Sequence, residues 1–326
     1  MEVPVLAGGA VLIYFGWKVL DSLLRIPYIR NLSQKYILVT GCDSGFGLGV
    51  AQKLDKLGCH VFAACLTEEG EQAVKVGASN RLKTVRMDVT NDESVTGALD
   101  FVRSSLPPST GLWGILNNAG VIGPTGPLEW LSMKDYDRCM GINTFGQIRV
   151  IQKFLPLVKK ARGRIVNKSS VVGRFSMPYF SAYNASKFAV EGYSDCLRRE
   201  LHQFGVTVHL VEPGPVKTNI VDGVPAWIRQ AWHQTTPELR EEYGEEFLNS
   251  LIGFLQGRSE VMSADPSEVV DADVHALISR FPRSRYAVGL ECRALLVIHS
   301  LPEFVADAIG RLMTPKHPIA ALNKGK

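Results

Sequence analysis

From Lys35 onward, short apolar runs alternate with longer stretches in which apolar positions recur three or four residues apart. The runs are Tyr36–Thr40 (YILVT), His60–Leu66 (HVFAACL), Arg81–Val89 (RLKTVRMDV), Trp113–Asn117, Arg164–Asn167, Val206–Val211 (VTVHLV) and Arg285–Val288. Short runs rich in β-branched residues read as buried strands, and the 3.6-residue period reads as helix. Helical patterns fill the gaps up to Gly58, from Asp92 to Ser105, from Met133 to Lys159 and onward from Tyr183. Strand and helix alternating throughout predict one doubly wound α/β domain, with a mostly parallel seven-stranded sheet and helices on both faces. The periodicity weakens over 219–266, where Trp227, Trp232, Phe247, Leu251 and Phe254 predict an apolar lid over a ligand.

The two ends follow a different pattern. Val3–Trp17 (VPVLAGGAVLIYFGW) carries no charge, yet it is shorter than the roughly 20 residues that span a bilayer comfortably. A cleaved signal peptide needs a basic start, and Glu2 is the first charge here; a presequence avoids acids. Lys18, Arg25, Arg30 and Lys35 all follow the apolar run, with Tyr14, Trp17 and Tyr28 near the expected interface. An uncleaved membrane anchor over 1–30 is the expectation, its basic flank and the following domain on the cytoplasmic side. The C-terminal stretch ALLVIHSLPEFVADAIGRLM is again apolar, and Pro302 divides it into two amphipathic pieces. The expected organisation is therefore an anchor segment over 1–30, a main domain over 31–290 and an amphipathic tail over 291–326. A packing helix or a second lipid contact are both open for that tail.

Composition narrows the class without deciding it. The chain has 326 residues, 46% hydrophobic, enough for a sizeable core. A net charge of +4 with no basic run argues against nucleic acid as a partner. Six cysteines lie scattered without a C-x-x-C pair, so reduced thiols are expected rather than a disulfide framework or a metal site.

The first strand runs into Thr40 and then Gly41-Cys42-Asp43-Ser44-Gly45-Phe46-Gly47, before a helix and a second strand. Strand, glycine loop, helix, strand is the dinucleotide-binding (Rossmann) βαβ unit. Gly41 permits the tight turn, Gly45 and Gly47 permit close approach, and the helix N-terminus supplies N–H donors to a pyrophosphate. The second strand ends at Cys65-Leu66-Thr67, with neither the acid typical of an NAD site nor a nearby basic residue. Asp43 and Glu68 would repel an added phosphate, so NAD is expected ahead of NADP. Asp88, with Val89 beside it, closes the third strand where an adenine amino group would lie. Asn117-Asn118-Ala119-Gly120 follows the fourth strand, at the sheet edge where ligands bind. After the sixth strand, Pro213-Gly214-Pro215-Val216-Lys217-Thr218 breaks the chain beside the expected nicotinamide end, and Thr218 can donate there.

Tyr183 and Lys187 stand four apart, on one face of a helix. A nearby ammonium favours the phenolate and fits a tyrosine for acid–base work. Tyr-x-x-x-Lys is by itself a common surface pairing; its weight comes from Ser170 at the end of the preceding strand.

Taken together, TGCDSGFG, NNAG, Asn143, Ser170, YNASK and PGPVKT resemble the short-chain dehydrogenase/reductase superfamily over about Lys35–Arg285. Phrases such as ACLTEEG, GLWGILNNAG and SDCLRREL are similar to the membrane-associated retinol dehydrogenases and the 17β- and 11β-hydroxysteroid dehydrogenases. The resemblance implies Tyr183 as acid/base, Lys187 on the nicotinamide ribose, Ser170 orienting the substrate oxygen and Asn143 holding a relay water. It implies Thr40, Gly41, Gly45 and Gly47 at the pyrophosphate, and Asp88, Asn117, Ala119, Gly120, Gly214 and Thr218 completing the cofactor site. A lipophilic alcohol as substrate, a homodimer and the endoplasmic reticulum membrane follow as expectations, with a 3-hydroxybutyrate-type hydroxy acid as the alternative substrate. A scaffold that binds cofactor without turnover is the reading from another class. Lys168 departs from the family, which more often has an aliphatic residue there; so buried a lysine is costly unless it snorkels or pairs.

Overall fold

A computed structural model describes residues 24–216, 223–260 and 265–312, with Gly16, Leu20 and Thr314. The strands are β1 (Tyr36–Thr40), β2 (His60–Cys65), β3 (Leu82–Arg86), β4 (Gly114–Asn117), β5 (Arg164–Lys168), β6 (Thr207–Pro213) and β7 (Arg285–Val288). They form one sheet in the order β3-β2-β1-β4-β5-β6-β7. Every pairing is parallel, so the sheet is wholly rather than mostly parallel. Helices cover both faces, and the inner strands β2, β1, β4, β5 and β6 are buried almost throughout, while β3 at one edge leaves Lys83 and Arg86 exposed.

One face is covered by α1 (Gly45–Lys56) and the late helix Pro266–Ile278; Val50, Leu54, Val269 and Leu277 pack there on Ile37 and Val39. The other face takes α3 (Asp92–Ser105) and α5 (Gln147–Ala161), where Val95, Val102, Val150 and Phe154 meet Leu38 and Ile115. Between these lie α2 (Glu68–Lys75) and α4 (Met133–Met140). The long helix expected from Met133 is interrupted: Gly141–Gly146 widens to a π-helical turn before α5, and Asn143 lies in it. Such turns insert a residue into the ladder and re-aim side chains, often at functional sites.

The helix α6 (Ser181–Glu200) carries Tyr183 and Lys187. After β6 come α7 (Val224–Gln234), α8 (Pro237–Tyr243) and α9 (Glu245–Glu260), then α10 (Pro266–Ile278). Trp130 packs edge-on to Trp232, Tyr243 and Phe247 of these helices, at 4.9, 5.3 and 6.0 Å between ring centres. The C-terminal stretch forms α11 (Leu290–His299) and α12 (Glu303–Arg311), divided at Pro302.

The expected anchor lies largely outside the described residues; among those described, no helix is long and apolar enough to cross a membrane. The segment just after it is held firmly. Ile29 donates to the Ile278 carbonyl (2.8 Å), Arg280 to the Pro27 carbonyl (2.7 Å), and His275 Nε2 and Ser279 Oγ both meet the Arg25 carbonyl. These contacts sit at the C-terminal end of α10, which runs antiparallel to the strands. The segment therefore joins the domain at the sheet edge opposite the strands' carboxyl ends.

Candidate active site

Chain order reverses between β1 and β4, and the crevice above that point is where ligands bind in open parallel sheets. A cleft of about 640 Å³ opens there. Its first half is made by the glycine loop. Gly41 and Gly45 have φ of +67° and +60°, and a Cβ on Gly41 would lie 2.8 Å from the Ala119 Cα. A Cβ on Gly47 would lie 2.2 Å from the Gly41 carbonyl oxygen, so the loop folds tightly against itself. Ser44 makes no side-chain cap, and α1 has no acid in its first turn, which leaves its first N–H groups open to an anion. Thr40 Oγ1 accepts from the Asn118 and Ala119 amides, both at 3.0 Å, and pins the β4 loop to the glycine loop. This cradle fits a dinucleotide pyrophosphate.

Gly41, Asp43, Ser44, Gly45 and Phe46 lie on the cleft wall, as do Asp88, Val89, Ala119 and Gly120. So do Pro213, Gly214 and Val216 beyond β6. Thr40, Gly47 and Cys65 stand behind that wall. Cys65 is fully buried, and the wall beyond it is made by Leu66 and Thr67. Asn117 is also behind it: as the last residue of β4 its amide faces across the sheet and donates to Asn167 (2.9 Å), while Asn118 takes the wall position. Thr218 lies outside the described residues.

The adenosine end differs from its expected chemistry. Asp43 accepts from the Leu66 and Thr67 amides (2.9 and 2.8 Å) and from the Thr67 hydroxyl (2.9 Å), clamping the end of β2. A basic residue does reach this corner. Arg86, paired in register with Cys65, donates to the Leu66 carbonyl (3.4 Å) and pairs with Glu71. Sequence proximity concealed it because it arrives on the neighbouring strand. Asp88 spends one carboxylate oxygen on the Thr90 amide and hydroxyl.

Tyr183, Ser170 and Lys187 converge on the cleft where the glycine-loop half ends. Burial pushes the Tyr183 hydroxyl up to about 12, against a hydrogen bond from Ser170 that lowers it. Lys187 is 3% exposed, and its Nζ donates to the Lys168 carbonyl at 3.0 Å. Its ammonium is brought down to about 7, chiefly by burial and then by the nearby Lys168 charge. Its nitrogen lies 5.6 Å from the centre of the Tyr183 ring. Asn143 stands behind the wall: Oδ1 accepts from the Val121 amide (2.8 Å), and Nδ2 donates to the Val121 carbonyl and to Ser186 Oγ. The π turn thus directs this amide into holding the β4 loop on α6.

Lys168 does pair. Its ammonium binds Asp273 of α10, and both side chains are buried. Beyond Tyr183 the cleft becomes apolar, walled by Ile122, Val172, Met177, Phe180, Val224 and Leu295.

The residues over 35–229 match the short chain dehydrogenase family model. The chain belongs to that family. It is an NAD(P)-dependent oxidoreductase acting on CH–OH groups. Among its relatives is rat retinol dehydrogenase 16, 42% identical over 92% of this chain and 95% of that protein. Human dehydrogenase/reductase SDR family member 9 is 44% identical, covering 86% and 88%. Bovine short-chain dehydrogenase/reductase family 9C member 7 is 45% identical, covering 86% and 90%. A Burkholderia phymatum short-chain dehydrogenase/reductase solved in complex with NAD superposes with a TM-score of 0.68, at 25% identity, over 89% and 99%. A Burkholderia cenocepacia short-chain dehydrogenase in complex with NADP has a TM-score of 0.66 at 24% identity over 87% and 100%, a likeness of fold.

Proposed function

We propose that this dehydrogenase oxidises a lipophilic alcohol, a retinol or a hydroxysteroid, to the aldehyde or ketone with NAD as hydride acceptor. The observation that carries the reading is the junction of the cleft: Tyr183, Ser170 and Lys187 stand where the cofactor cradle meets an apolar chamber. Relatives named retinol dehydrogenase support the retinoid class. The hydroxy-acid alternative needs a free cation for the carboxylate. Lys168 is committed to Asp273, and Arg174 lies beside Glu212 at 3.8 Å, off the cleft wall.

In this reading Tyr183 takes the hydroxyl proton and Ser170 orients the substrate oxygen. Lys187, as an ammonium, offsets the phenolate charge and lowers the barrier to removing that proton. A bound oxidised nicotinamide supplies the hydride acceptor. Asn143 supports the geometry through the β4 loop, and the relay water expected of it is left to its main chain or to its remaining acceptor lone pair. The Asp43 carboxylate on the cleft wall supports NAD over NADP, since an anion there would repel an added phosphate.

Lipid enters the same reading. Leu295 faces the chamber from α11, while Leu290 and Val297 on that helix are 75% and 65% exposed. On the next helical segment Phe304 and Leu312 are 76% and 78% exposed. This outward apolar surface beside the chamber supports substrate arriving from a bilayer, in keeping with the expected endoplasmic reticulum membrane location. Exposed Phe145 and Phe188, near Asn143 and on α6, support the expected homodimer.

The test is a panel of retinol, oestradiol, androstanediol and 3-hydroxybutyrate on detergent-solubilised protein, each with NAD and NADP. Turnover of a retinoid or steroid with NAD preferred, abolished in Tyr183→Phe with cofactor binding retained, is the expected outcome. Activity on the hydroxy acid alone overturns it.

A further inference from the structure

We propose that the buried pair Lys168–Asp273 is a positioning device for Lys187, fixing its ammonium through the Lys168 main chain and holding a second cation beside it. The proposal rests on Tyr183 and Lys187 being the catalytic couple.

Lys168 makes two connections at once. Its carbonyl accepts from Lys187 Nζ (3.0 Å) and from Gln147 Nε2 (3.2 Å). Its side chain, pointing the same way as that of Val166, crosses to α10 and binds Asp273 Oδ2. Its Nζ also lies 5.3 Å from the centre of the Phe46 ring, in the glycine loop. One residue therefore ties together the end of β5, the catalytic helix α6, the helix α10 and the cofactor loop. An aliphatic residue at this position would supply the carbonyl and nothing else.

Burying two charges is expensive, and well-packed apolar side chains commonly serve stability as well or better. Asp273 Oδ1 has no hydrogen-bond partner, so the pair is not even fully satisfied. A role in stability accounts poorly for such a pair. A charge held near the catalytic ammonium accounts for it better.

The groups around Lys187 set the sign. On α6 it meets Tyr183 and Glu191, on α4 Cys139, and on β5 Lys168; the Asn143 amide and Gly120 contribute no charge. Glu191 is itself held beside Glu212 and Arg285. Lys168 faces Asp273 on α10, Lys187 on α6 and the Phe46 ring on α1. Of these neighbours Lys168 is the cation, and it repels the Lys187 proton. Removing its charge raises the pH at which Lys187 deprotonates. If Asp273 then remains an anion the shift is in the same direction, and if it takes up a proton the shift persists.

The experiment uses the full chain in detergent. Lys168→Met, the double variant Lys168→Met/Asp273→Leu and Lys168→Arg are compared with wild type in two measurements. The first is the alkaline limb of kcat/KM for the alcohol that the wild type oxidises. The second is the pH dependence of Lys187 acylation by acetic anhydride, read by peptide mass, which needs no turnover. Both Met-containing variants are expected to raise the Lys187 midpoint by about half a unit or more, roughly a threefold change in protonated fraction. Lys168→Arg is expected to keep the wild-type midpoint. If the variants lose activity or stability while the acylation midpoint stays put, the pair is structural and the proposal falls. The double variant keeps the test available if the single one fails to fold. A Tyr183→Phe protein that still turns over sinks the catalytic reading instead, and leaves the acylation result standing.

Discussion

Thr40→Val isolates one oxygen atom. The substitution keeps the shape of a side chain that is 1% exposed and removes the acceptor that serves the Asn118 and Ala119 amides, both at 3.0 Å. A buried N–H left unpaired costs about 1–3 kcal/mol. Both amides border the cleft, where water can partly replace the hydroxyl, so the lower end applies to each and the sum is about 2 kcal/mol. For a domain of this size that corresponds to a fall in Tm of about 4 °C. Thr40→Ser keeps the oxygen and loses a methyl, at about 1 kcal/mol. The two variants should differ more in cofactor affinity than in stability. Only the valine releases the β4 loop from the glycine loop, where Gly41 and Ala119 are in backbone contact. The assay is a thermal unfolding scan at fixed rate, paired with NADH titration by fluorescence. A valine variant as stable as the serine variant, with unchanged NADH affinity, refutes this account of how the cradle is held.

Other perturbations give equally definite outcomes. Asp43→Ala removes a carboxylate from the cleft wall and the acceptor for the Leu66 and Thr67 amides and the Thr67 hydroxyl; in the proposed reading NAD should bind several-fold more weakly, with the NAD/NADP ratio of kcat/KM falling toward one. Trp130→Ala opens its aromatic cluster with Trp232, Tyr243 and Phe247, at about 3–5 kcal/mol of stability, with KM for a lipophilic alcohol rising, both checked on the same preparation. His209, buried with its ring bonded to the Arg283 carbonyl and Thr207, is held down to about 4, chiefly by burial. Its folded value lies below the unfolded 6.5, so its contribution is present above about pH 6.5 and is lost as pH falls toward 4, about 3 kcal/mol in all. Urea midpoints across that range should flatten in His209→Gln, with a residual slope from His275, which shifts in the same direction. Five of the six thiols are buried, so brief iodoacetamide treatment of native protein should label Cys196 alone, and all six after denaturation.

Much of the fold was legible in the sequence because buried parallel strands read as bare apolar runs, and because the glycine loop falls between a strand and a helix. What escaped depends on register and facing. Asn117 and Asn118 are adjacent, but the strand pleat turns one into the sheet and the other to the cleft, and no local signal says which. Arg86 lies 20 residues from Leu66 in the chain and reaches it because β3 pairs with β2. Asp273 lies 105 residues from Lys168, so a costly lysine was visible while its counter-ion was not. The π turn at Asn143 was hidden too, since a helical pattern does not record one inserted residue.

The seam between residues 25–29 and the end of α10 has a mechanical consequence. Anything attached before Arg25, a purification tag or a bilayer-embedded segment, pulls on the foot of the sheet and not on the loops that line the cleft. The cleft lies at the far end of the strands, about 17 Å away, and α10 is the element that links the two through Asp273. Truncations that stop before Arg25 should therefore leave the catalytic end undisturbed. Those that pass Ile29 strip the bonds from Ile278, Ser279 and Arg280, and open the same helix that carries Asp273.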